Sequence, residues 1–185
     1  MDINNRVVLI IGPSSTGKTT LSKKIEEESP VKSVVISHDD VLEGINKNRS
    51  QDEINLDFRL TLIEKIFDAI NDNSNELIIL DTLNYDFQAL NAVLMFLRMF
   101  INYEDGITLV KMNPPLDVHK RYILEKKKNN SLVSLPIVMS QRDMYISEKG
   151  SLFRAHPFAN EEIIISNPEK IKLNFNLKNK EYSKK

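Results

Sequence analysis

The chain has 185 residues but contains no cysteine and no tryptophan. Without cysteine it cannot form a disulfide scaffold, a cysteine-ligated zinc site or an iron–sulfur cluster. A strong charge of one sign is also missing, since 25 basic and 26 acidic residues give a net charge of −1. Global attraction to nucleic acid or to an anionic membrane is therefore excluded as the main binding force. This length is expected to form one domain with its own hydrophobic core.

Long apolar runs are absent as well. The run from Val7 to Ile11 has five residues, which is shorter than the apolar region of a secretory signal peptide. The longer segment 87–101 is interrupted by Gln88, Asn91 and Arg98 and is too short to span a bilayer. We therefore expect no membrane association and a cytoplasmic location.

Short apolar runs alternate with helical patterns along the chain. The predicted strands cover residues 6–11, 31–37, 76–82, 107–112 and 161–166. The predicted helices cover residues 19–28, 52–70, 87–101, a stretch from Pro115 to about Lys128, and 136–148. This alternation predicts an α/β fold in which a five-stranded, mostly parallel sheet carries helices on both faces. We expect one domain over 1–166 and a basic C-terminal tail over 167–185 with a frayed end.

Residues 12–19, G-P-S-S-T-G-K-T, match the phosphate-binding pattern G-x-x-x-x-G-K-[ST]. Gly12 and Gly17 allow backbone N–H groups to wrap around a phosphate, and the helix that begins near Thr19 adds its positive N-terminal end. Lys18 is expected to reach the β- and γ-phosphates. The sequence therefore predicts a nucleoside triphosphate site. Its predicted residues are Gly12, Pro13, Ser14, Ser15, Thr16, Gly17, Lys18, Thr19 and Thr20.

Two oxygen ligands are candidates for a magnesium ion beside these phosphates. The Thr19 hydroxyl is the P-loop ligand, and Asp81 ends the apolar run Leu77–Leu80, where a second, acidic ligand is expected. The alternative is that Asp81 caps the turn before the next helix.

A second acidic cluster, His38-Asp39-Asp40, follows the second strand. In a parallel sheet this position faces the same crevice as the phosphate loop, where a carboxylate can accept the proton of an attacking hydroxyl. Asp39 and Asp40 compete for that role. Since neighbouring side chains point apart, we expect one of them in the crevice and the other at the N-cap of the helix V-L-E-G-I.

Five segments in this order make the chain resemble a known family. They are G-P-S-S-T-G-K-T-T-L, S-H-D-D-V-L-E, L-I-I-L-D-T-L-N, N-P-P-L-D-V-H-K-R and L-P-I-V-M-S-Q-R-D-M-Y. Over about residues 6–166 the chain is similar to the small P-loop kinases, which include chloramphenicol phosphotransferase, the zeta-toxin kinases and the phage-type polynucleotide 5′-kinase. The resemblance implies a short helical lid at about 120–148.

The same resemblance implies roles for individual residues. Asp39 aligns best with the general base, and Arg121 with the arginine that borders the adenine and the phosphates. A further lid arginine covers the transferring phosphate in the family, but the matching stretch here reads E-K-K-K-N-N. One of Lys126, Lys127 and Lys128 would substitute for it, or Arg142 would supply the guanidinium. A lysine neutralises charge but lacks the bidentate fork of arginine.

These observations predict a kinase that uses ATP and Mg²⁺ to phosphorylate a hydroxyl of a small-molecule acceptor. The alternatives are a polynucleotide or RNA 5′-hydroxyl kinase, and a regulatory nucleotide-binding ATPase without an acceptor. ATP is preferred to GTP because no N-K-x-D tract follows the fourth strand. Arg49 and Arg59 fall in the segment where the family binds its acceptor.

The helix 87–101 carries Met95, Phe96, Met99 and Phe100 around more than half of its surface. It is either buried between the sheet and another helix or forms a dimer face or an apolar wall of the acceptor pocket. The chain is therefore expected to be a monomer or a homodimer.

Overall fold

A computed structural model describes residues 1–45, 48, 50–72, 74–81, 87–101, 105–129 and 134–177. The strands are β1 (Asp2–Ile3), β2 (Val7–Ile11), β3 (Ser33–Ser37), β4 (Leu77–Asp81), β5 (Ile107–Met112), β6 (Glu161–Ile165) and β7 (Asn174–Phe175). The helices are α1 (Lys18–Glu28), α2 (His38–Glu43), α3 (Gln51–Asn71), α4 (Phe87–Phe100), α5 (Leu116–Asn129) and α6 (Leu135–Ile146), and a single 3₁₀ turn covers Pro168–Lys170.

Five strands form one parallel sheet in the order β3-β4-β2-β5-β6, which confirms the predicted fold class. The inner strands β2, β4 and β5 are buried along their whole length, as expected when helices cover both faces. The chain leaves β2 toward β3 on one side and later reaches β5 on the other. This change of direction opens a crevice at the carboxyl end of β2, where open α/β sheets bind their ligands.

Alternate residues of the central strands enter two separate hydrophobic cores. Leu9 and Leu80 pack with helices α3 and α4 on one face, whereas Ile10 and Ile79 pack with Leu21 of α1 on the other. The period-two alternation of a strand divides the side chains in this way. Helix α1 is thereby fixed directly behind the end of β2, with its N-terminus at the crevice.

A second, two-stranded sheet was not predicted from the sequence. Strands β1 and β7 pair in parallel, with Asp2 opposite Asn174 and Ile3 opposite Phe175, and Ile3 is fully buried in the α1 core. Two-residue strands at the chain ends carry no readable periodicity. The pairing brings the 3₁₀ turn against α1. The predicted frayed end, K-N-K-E-Y-S-K-K, lies outside the described residues.

Helix α4 is apolar on both its inner and its outer side. Leu90, Leu94 and Leu97 are fully buried in the core, but Met95 is half exposed and Met99 is 73% exposed. In the part of the chain that the structure describes, none of the helices combines the length and the hydropathy of a membrane span.

Candidate active site

The loop between β2 and α1 is shaped by two glycines with positive φ, Gly12 at 147° and Gly17 at 89°. A Cβ atom on Gly12 would lie 3.0 Å from the Cβ of Met112, and one on Gly17 would lie 2.8 Å from the Cγ of Pro168. Both positions therefore exclude a side chain by conformation and by space. The glycines of the sequence motif are explained by this close packing.

Within the loop, side chains fix the backbone from the inside. The fully buried Thr16 donates its hydroxyl hydrogen bond to the carbonyl oxygen of Pro13 at 2.9 Å. Ser15 adopts a left-handed conformation with φ 60°. Its Oγ is buried and has no hydrogen-bond partner among the described residues, although the residue lines the cavity. An unsatisfied polar atom at this position fits a site built for a polar ligand.

Lys18 begins α1 and lies at the base of the cavity, with 7% of its surface exposed. Its Nζ donates to the carbonyl oxygen of Pro13 at 3.0 Å. Burial lowers the pKa of Lys18 to about 8, although Asp81 and then Asp39 oppose this shift. A bound phosphate would add negative charge and favour the protonated ammonium.

Thr19 and Asp81 meet across the crevice. The Thr19 hydroxyl donates to Oδ2 of Asp81 at 2.8 Å, and Asp81 is only 3% exposed. In the sheet Asp81 is paired with Ile10 and Ser37. It therefore lies beside the carboxyl end of β2, at the crevice that the change of chain direction opens. Burial raises the pKa of Asp81, against the opposing effect of Lys18.

This oxygen pair fits a small divalent cation that keeps several other ligands. Among the described residues no three histidine, aspartate or glutamate side chains gather around a possible metal position. Mg²⁺ commonly binds through one or two protein oxygens, with water and phosphate completing its octahedron. Thr19 and Asp81 match that donor set.

Asp39 lines the same cavity from α2. Its side chain is 68% exposed, with Oδ1 3.7 Å from Nδ1 of His38 and Oδ2 3.9 Å from Nζ of Lys126. The His38 imidazole is the main cause of a lowered pKa of Asp39, and Lys126 adds to it against the opposing effect of burial. Asp39 is therefore ionised at neutral pH and faces the lysine and the carboxylate of the phosphate site.

The expectation that Asp39 or Asp40 caps α2 is wrong. The N-cap is Ser37, whose Oγ accepts the N–H of Asp40 at 3.1 Å, because serine at the end of a strand satisfies a free amide as well as aspartate does. Asp40 lies in the first turn and lines a separate groove with Lys65 and Asp68. Among the described residues that line the cavity, Asp39 is present and Asp40 is not.

One wall of the cavity, apart from Lys126, was not predicted from the sequence. It is lined by Tyr122, Glu125 and Lys126 of α5 and by Pro168 and Glu169. Tyr122 donates its hydroxyl hydrogen bond to Oε1 of Glu169 at 2.8 Å. The whole cavity has a volume of about 500 Å³. Because this wall combines a helix with the turn after β6, no single segment of the sequence predicts it.

The predicted nucleotide-binding residues divide into two groups. Ser14, Ser15, Gly17, Lys18, Thr19 and Thr20 line the cavity. Gly12, Pro13 and Thr16 instead shape the loop from behind through the contacts given above.

The structure does not bring Arg121 to the cavity. It is exposed on the outer side of α5, with its guanidinium 5.5 Å from the ring centre of Tyr122. There it lines a shallow groove with Lys127 and Lys128. Among the described residues that line the cavity, Lys126 is the one that belongs to the three candidate lid lysines.

The remaining predicted basic residues lie elsewhere. Arg59 is exposed on α3, and Arg49 lies outside the described residues. Arg142 lies behind the loop, where Nη1 is 3.4 Å from Nδ1 of His119 and Nη2 donates to Oδ1 of Asn113 at 3.3 Å.

A phosphate loop at a helix N-terminus, a buried lysine and a Thr–Asp pair on a five-stranded parallel sheet define a P-loop nucleotide-binding protein of the kinase-like type. Residues 7–145 match the model of an AAA domain family (AAA_33). The chain belongs to this P-loop kinase-like family. No curated protein sequence matches it significantly.

Solved structures share the fold at low sequence identity. A proposed kinase from Chloroflexus aurantiacus j-10-fl is 16% identical with a TM-score of 0.64, covering 91% of this chain and 90% of its own. A sugar kinase from Janibacter sp. HTCC2649 is 15% identical, with a TM-score of 0.55 and coverage of 89% and 88%. Chaetomium thermophilum Kti12, in complex with ADP-AlF₃, is 12% identical, with a TM-score of 0.56 and coverage of 86% and 88%.

Proposed function

We propose that this protein transfers the γ-phosphoryl group of ATP to a hydroxyl group of a small-molecule acceptor, with Mg²⁺ as the metal ion. The observation that carries the proposal is the convergence of Lys18, Asp81 and Asp39 on one cavity above the glycine-shaped loop. A nucleotide switch needs the first two groups. An exposed carboxylate that faces them is the additional group that a phosphotransferase needs.

In the proposed reaction Asp39 accepts the proton of the acceptor hydroxyl. The hydroxyl oxygen forms a bond to the γ-phosphorus, while the bond from that phosphorus to the β–γ bridging oxygen breaks and leaves ADP. Lys18 and Lys126 neutralise the charge on the transferring group, and the loop amides hold the β-phosphate. Catalysis in this scheme consists of positioning and electrostatic stabilisation.

Thr19 and Asp81 would hold the magnesium ion. When bound, such an ion would supply positive charge that neutralises the phosphates. The protein's own contribution is the orientation of the two oxygens, which are already 2.8 Å apart, with the Asp81 carboxylate buried.

The cavity wall formed by α5 and the turn after β6 is suited to the nucleoside. Tyr122 and Pro168 offer apolar surface there, and Glu169 offers a carboxylate that Tyr122 holds in place. A cavity of about 500 Å³ is within the range of small-molecule sites. The acceptor would then approach Asp39 from the open side, since the carboxylate is mainly exposed.

A small acceptor is favoured over a polynucleotide by the distribution of charge. Lys126 is directed to the cavity and to Asp39, and the outer groove of α5 mixes its cations with Asp117 and Glu125. Tyr122, an aromatic residue within this basic stretch, lines the cavity rather than the outer groove, so it belongs to the proposed nucleotide site and not to a base-stacking surface for an oligonucleotide. The sugar kinase among the structural neighbours agrees with this choice at the level of fold.

A polynucleotide 5′-hydroxyl is the second candidate acceptor. The observation in its favour is the run of Lys120, Arg121, Lys127 and Lys128 along the exposed groove of α5, which lies on the helix that also lines the cavity.

The test compares sugars, nucleosides and aminoglycoside-like alcohols with short RNA and DNA carrying 5′-hydroxyls, using Mg·ATP at several salt concentrations. We expect a small alcohol to be phosphorylated with little dependence on salt. Efficient phosphorylation of oligonucleotides that weakens several-fold per doubling of salt would establish the second candidate instead. Slow ATP hydrolysis that no hydroxyl compound changes would indicate a regulatory ATPase.

A further inference from the structure

Both backbone hydrogen-bonding groups of Ser14, near the tip of the phosphate loop, are bound by side chains from other helices. Its carbonyl oxygen lies 2.8 Å from Nε2 of His119 on α5. Its N–H donates to Oε1 of Gln141 on α6 at 3.1 Å. These contacts connect residues that are 105 and 127 positions apart in the chain.

The partners of His119 determine which ring nitrogen carries the proton. A carbonyl oxygen only accepts, so Nε2 must donate to Ser14. The guanidinium of Arg142 only donates, so Nδ1, which faces it at 3.4 Å, must accept. His119 is fully buried, and burial lowers its pKa. The ring is therefore neutral, and Arg142 stabilises the tautomer that bonds the loop.

The two contacts orient two successive peptide planes. In a trans peptide the C=O of one residue and the N–H of the next point in opposite directions. Gln141 holds the N–H of Ser14, which turns the carbonyl of Pro13 the other way, toward Nζ of Lys18 and Oγ1 of Thr16. His119 holds the carbonyl of Ser14, which turns the N–H of Ser15 away from α5.

A buried histidine that only fills space would not need these partners. Here both ring nitrogens are engaged, one by the loop itself and one by Arg142, and Asn113 accepts from the same guanidinium at 3.3 Å. The arrangement is a continuous chain from α6 through α5 to the backbone that surrounds the phosphate position.

We propose that His119 and Gln141 are positioning residues that set the direction of the loop amides for nucleotide binding, and that Arg142 acts through His119 rather than on the transferring phosphate. This inference rests on the proposed function, because it assumes that the loop binds a nucleotide. It also reassigns Arg142, which the sequence offered as a catalytic cation.

The decisive comparison uses two amide variants of His119. Glutamine extends its N–H to about the position of Nε2 and can still donate to Ser14, whereas asparagine reaches only the position of Nδ1. Both replace a buried ring by a smaller amide, so both should lower the melting temperature to a similar extent. For ADP binding by calorimetry we expect H119N to lose about 5- to 10-fold in affinity, the effect of one hydrogen bond, and H119Q to stay within about twofold.

Equal ADP affinities of H119N and H119Q would overturn the inference. If both variants prove too unstable to purify, the half-buried Gln141 on α6 provides the same test without opening the core. We expect Gln141→Met to weaken ADP binding about threefold or more with little change in melting temperature. Unchanged affinity would again contradict the positioning role.

A double-mutant cycle tests the role of Arg142. We expect R142M to weaken ADP binding in the parent chain but to have no further effect in H119N, since the contact to Ser14 is already lost there. K23M, at an exposed lysine of α1, is the control and should bind like the parent. A fall in kcat in R142M with unchanged ADP affinity in both backgrounds would place Arg142 on the phosphate instead.

ADP binding by the parent chain distinguishes a failure of the proposed function from a failure of this inference. If the parent chain binds no ADP, the proposed function fails and the inference fails with it. If the parent binds ADP while H119N binds it equally well, only the inference fails.

Discussion

The two sides of the cavity differ in how firmly their side chains are held. On the phosphate side Thr16, Lys18 and Asp81 are buried, and each makes a hydrogen bond of 3.0 Å or less. On the acceptor side Asp39 is 68% exposed, and its nearest basic groups, the His38 imidazole and the Lys126 ammonium, lie at 3.7 and 3.9 Å. The phosphate side is thus preorganised by burial, whereas the acceptor side leaves its carboxylate open to whatever hydroxyl binds beside it.

The largest effect is expected from the centre of the phosphate side. Lys18→Ala removes the ammonium that holds the phosphates, so turnover should fall by about three orders of magnitude or more. A thermal-shift titration should show Mg·ATP stabilising the parent and barely stabilising the variant. The matched control is Lys23→Ala, an exposed lysine on the same helix. Equal stabilisation of parent and Lys18→Ala would contradict the assignment of the loop.

On the acceptor side the effect should fall on turnover and not on nucleotide binding. Asp39→Asn removes the proposed base, so kcat should fall by about 10²- to 10⁴-fold while ATP affinity stays near that of the parent. Asp40→Asn should do much less, because Asp40 lines a different groove. Reversal of the two effects would make Asp40 the base. Loss of ATP affinity in Asp39→Asn would make Asp39 a metal ligand.

The lowered pKa of Lys18 predicts an alkaline limit of kcat/KM for ATP. This limit belongs to a group on the phosphate side of the cavity and not to Asp39. In the nucleotide-free protein burial lowers this pKa to about 8, so the ammonium is lost as the pH rises through that value. Since kcat/KM reports the free enzyme, kcat/KM for ATP should fall above about pH 8, while kcat should hold to higher pH. In Lys18→Arg this limb should disappear, since arginine stays protonated. A limb that persists in Lys18→Arg would assign it to another group.

A smaller effect is expected from the cation beside Asp39. Lys126 helps to hold the pKa of Asp39 below its ordinary value, so the base stays ionised to lower pH. Lys126→Ala should raise that pKa and move the acidic limb of kcat/KM to higher pH by less than about one unit, because both side chains are well exposed. Lys128→Ala, on the outer groove of the same helix, should leave the limb unchanged. An equal shift in both variants would point to a general effect of charge.

The comparison between the two sides also explains what the sequence could predict. The strands and helices of the main sheet follow from apolar periodicity, which depends on neighbours within a few positions. The position of Asp81 follows from the end of a buried strand, and the glycine loop from a local motif. These features are local, and together they define the phosphate side of the cavity, but not the wall formed by α5 and the turn after β6.

The features that escaped prediction depend on distant contacts. His119 shows no metal-ligand spacing, and no motif in the sequence indicates a role for it. It nevertheless contacts the loop backbone at Ser14, 105 positions away in the chain. Tyr122 and Glu169 meet only because β6 leads the chain back to α5. Arg121 is assigned by the family resemblance and Arg142 as an arginine near the lid, and neither argument determines which side of a helix faces the cavity.

In the proposed function, Asp39 is the residue that makes a nucleotide site a phosphotransferase. The most direct test of this role follows the γ-phosphate of ATP by ³¹P NMR, with the parent and Asp39→Asn each supplied with the best small-molecule acceptor. We expect a new phosphate-ester signal and equimolar ADP with the parent, and unchanged ATP with Asp39→Asn. Inorganic phosphate as the sole product, formed at the same rate by both proteins, would contradict this role.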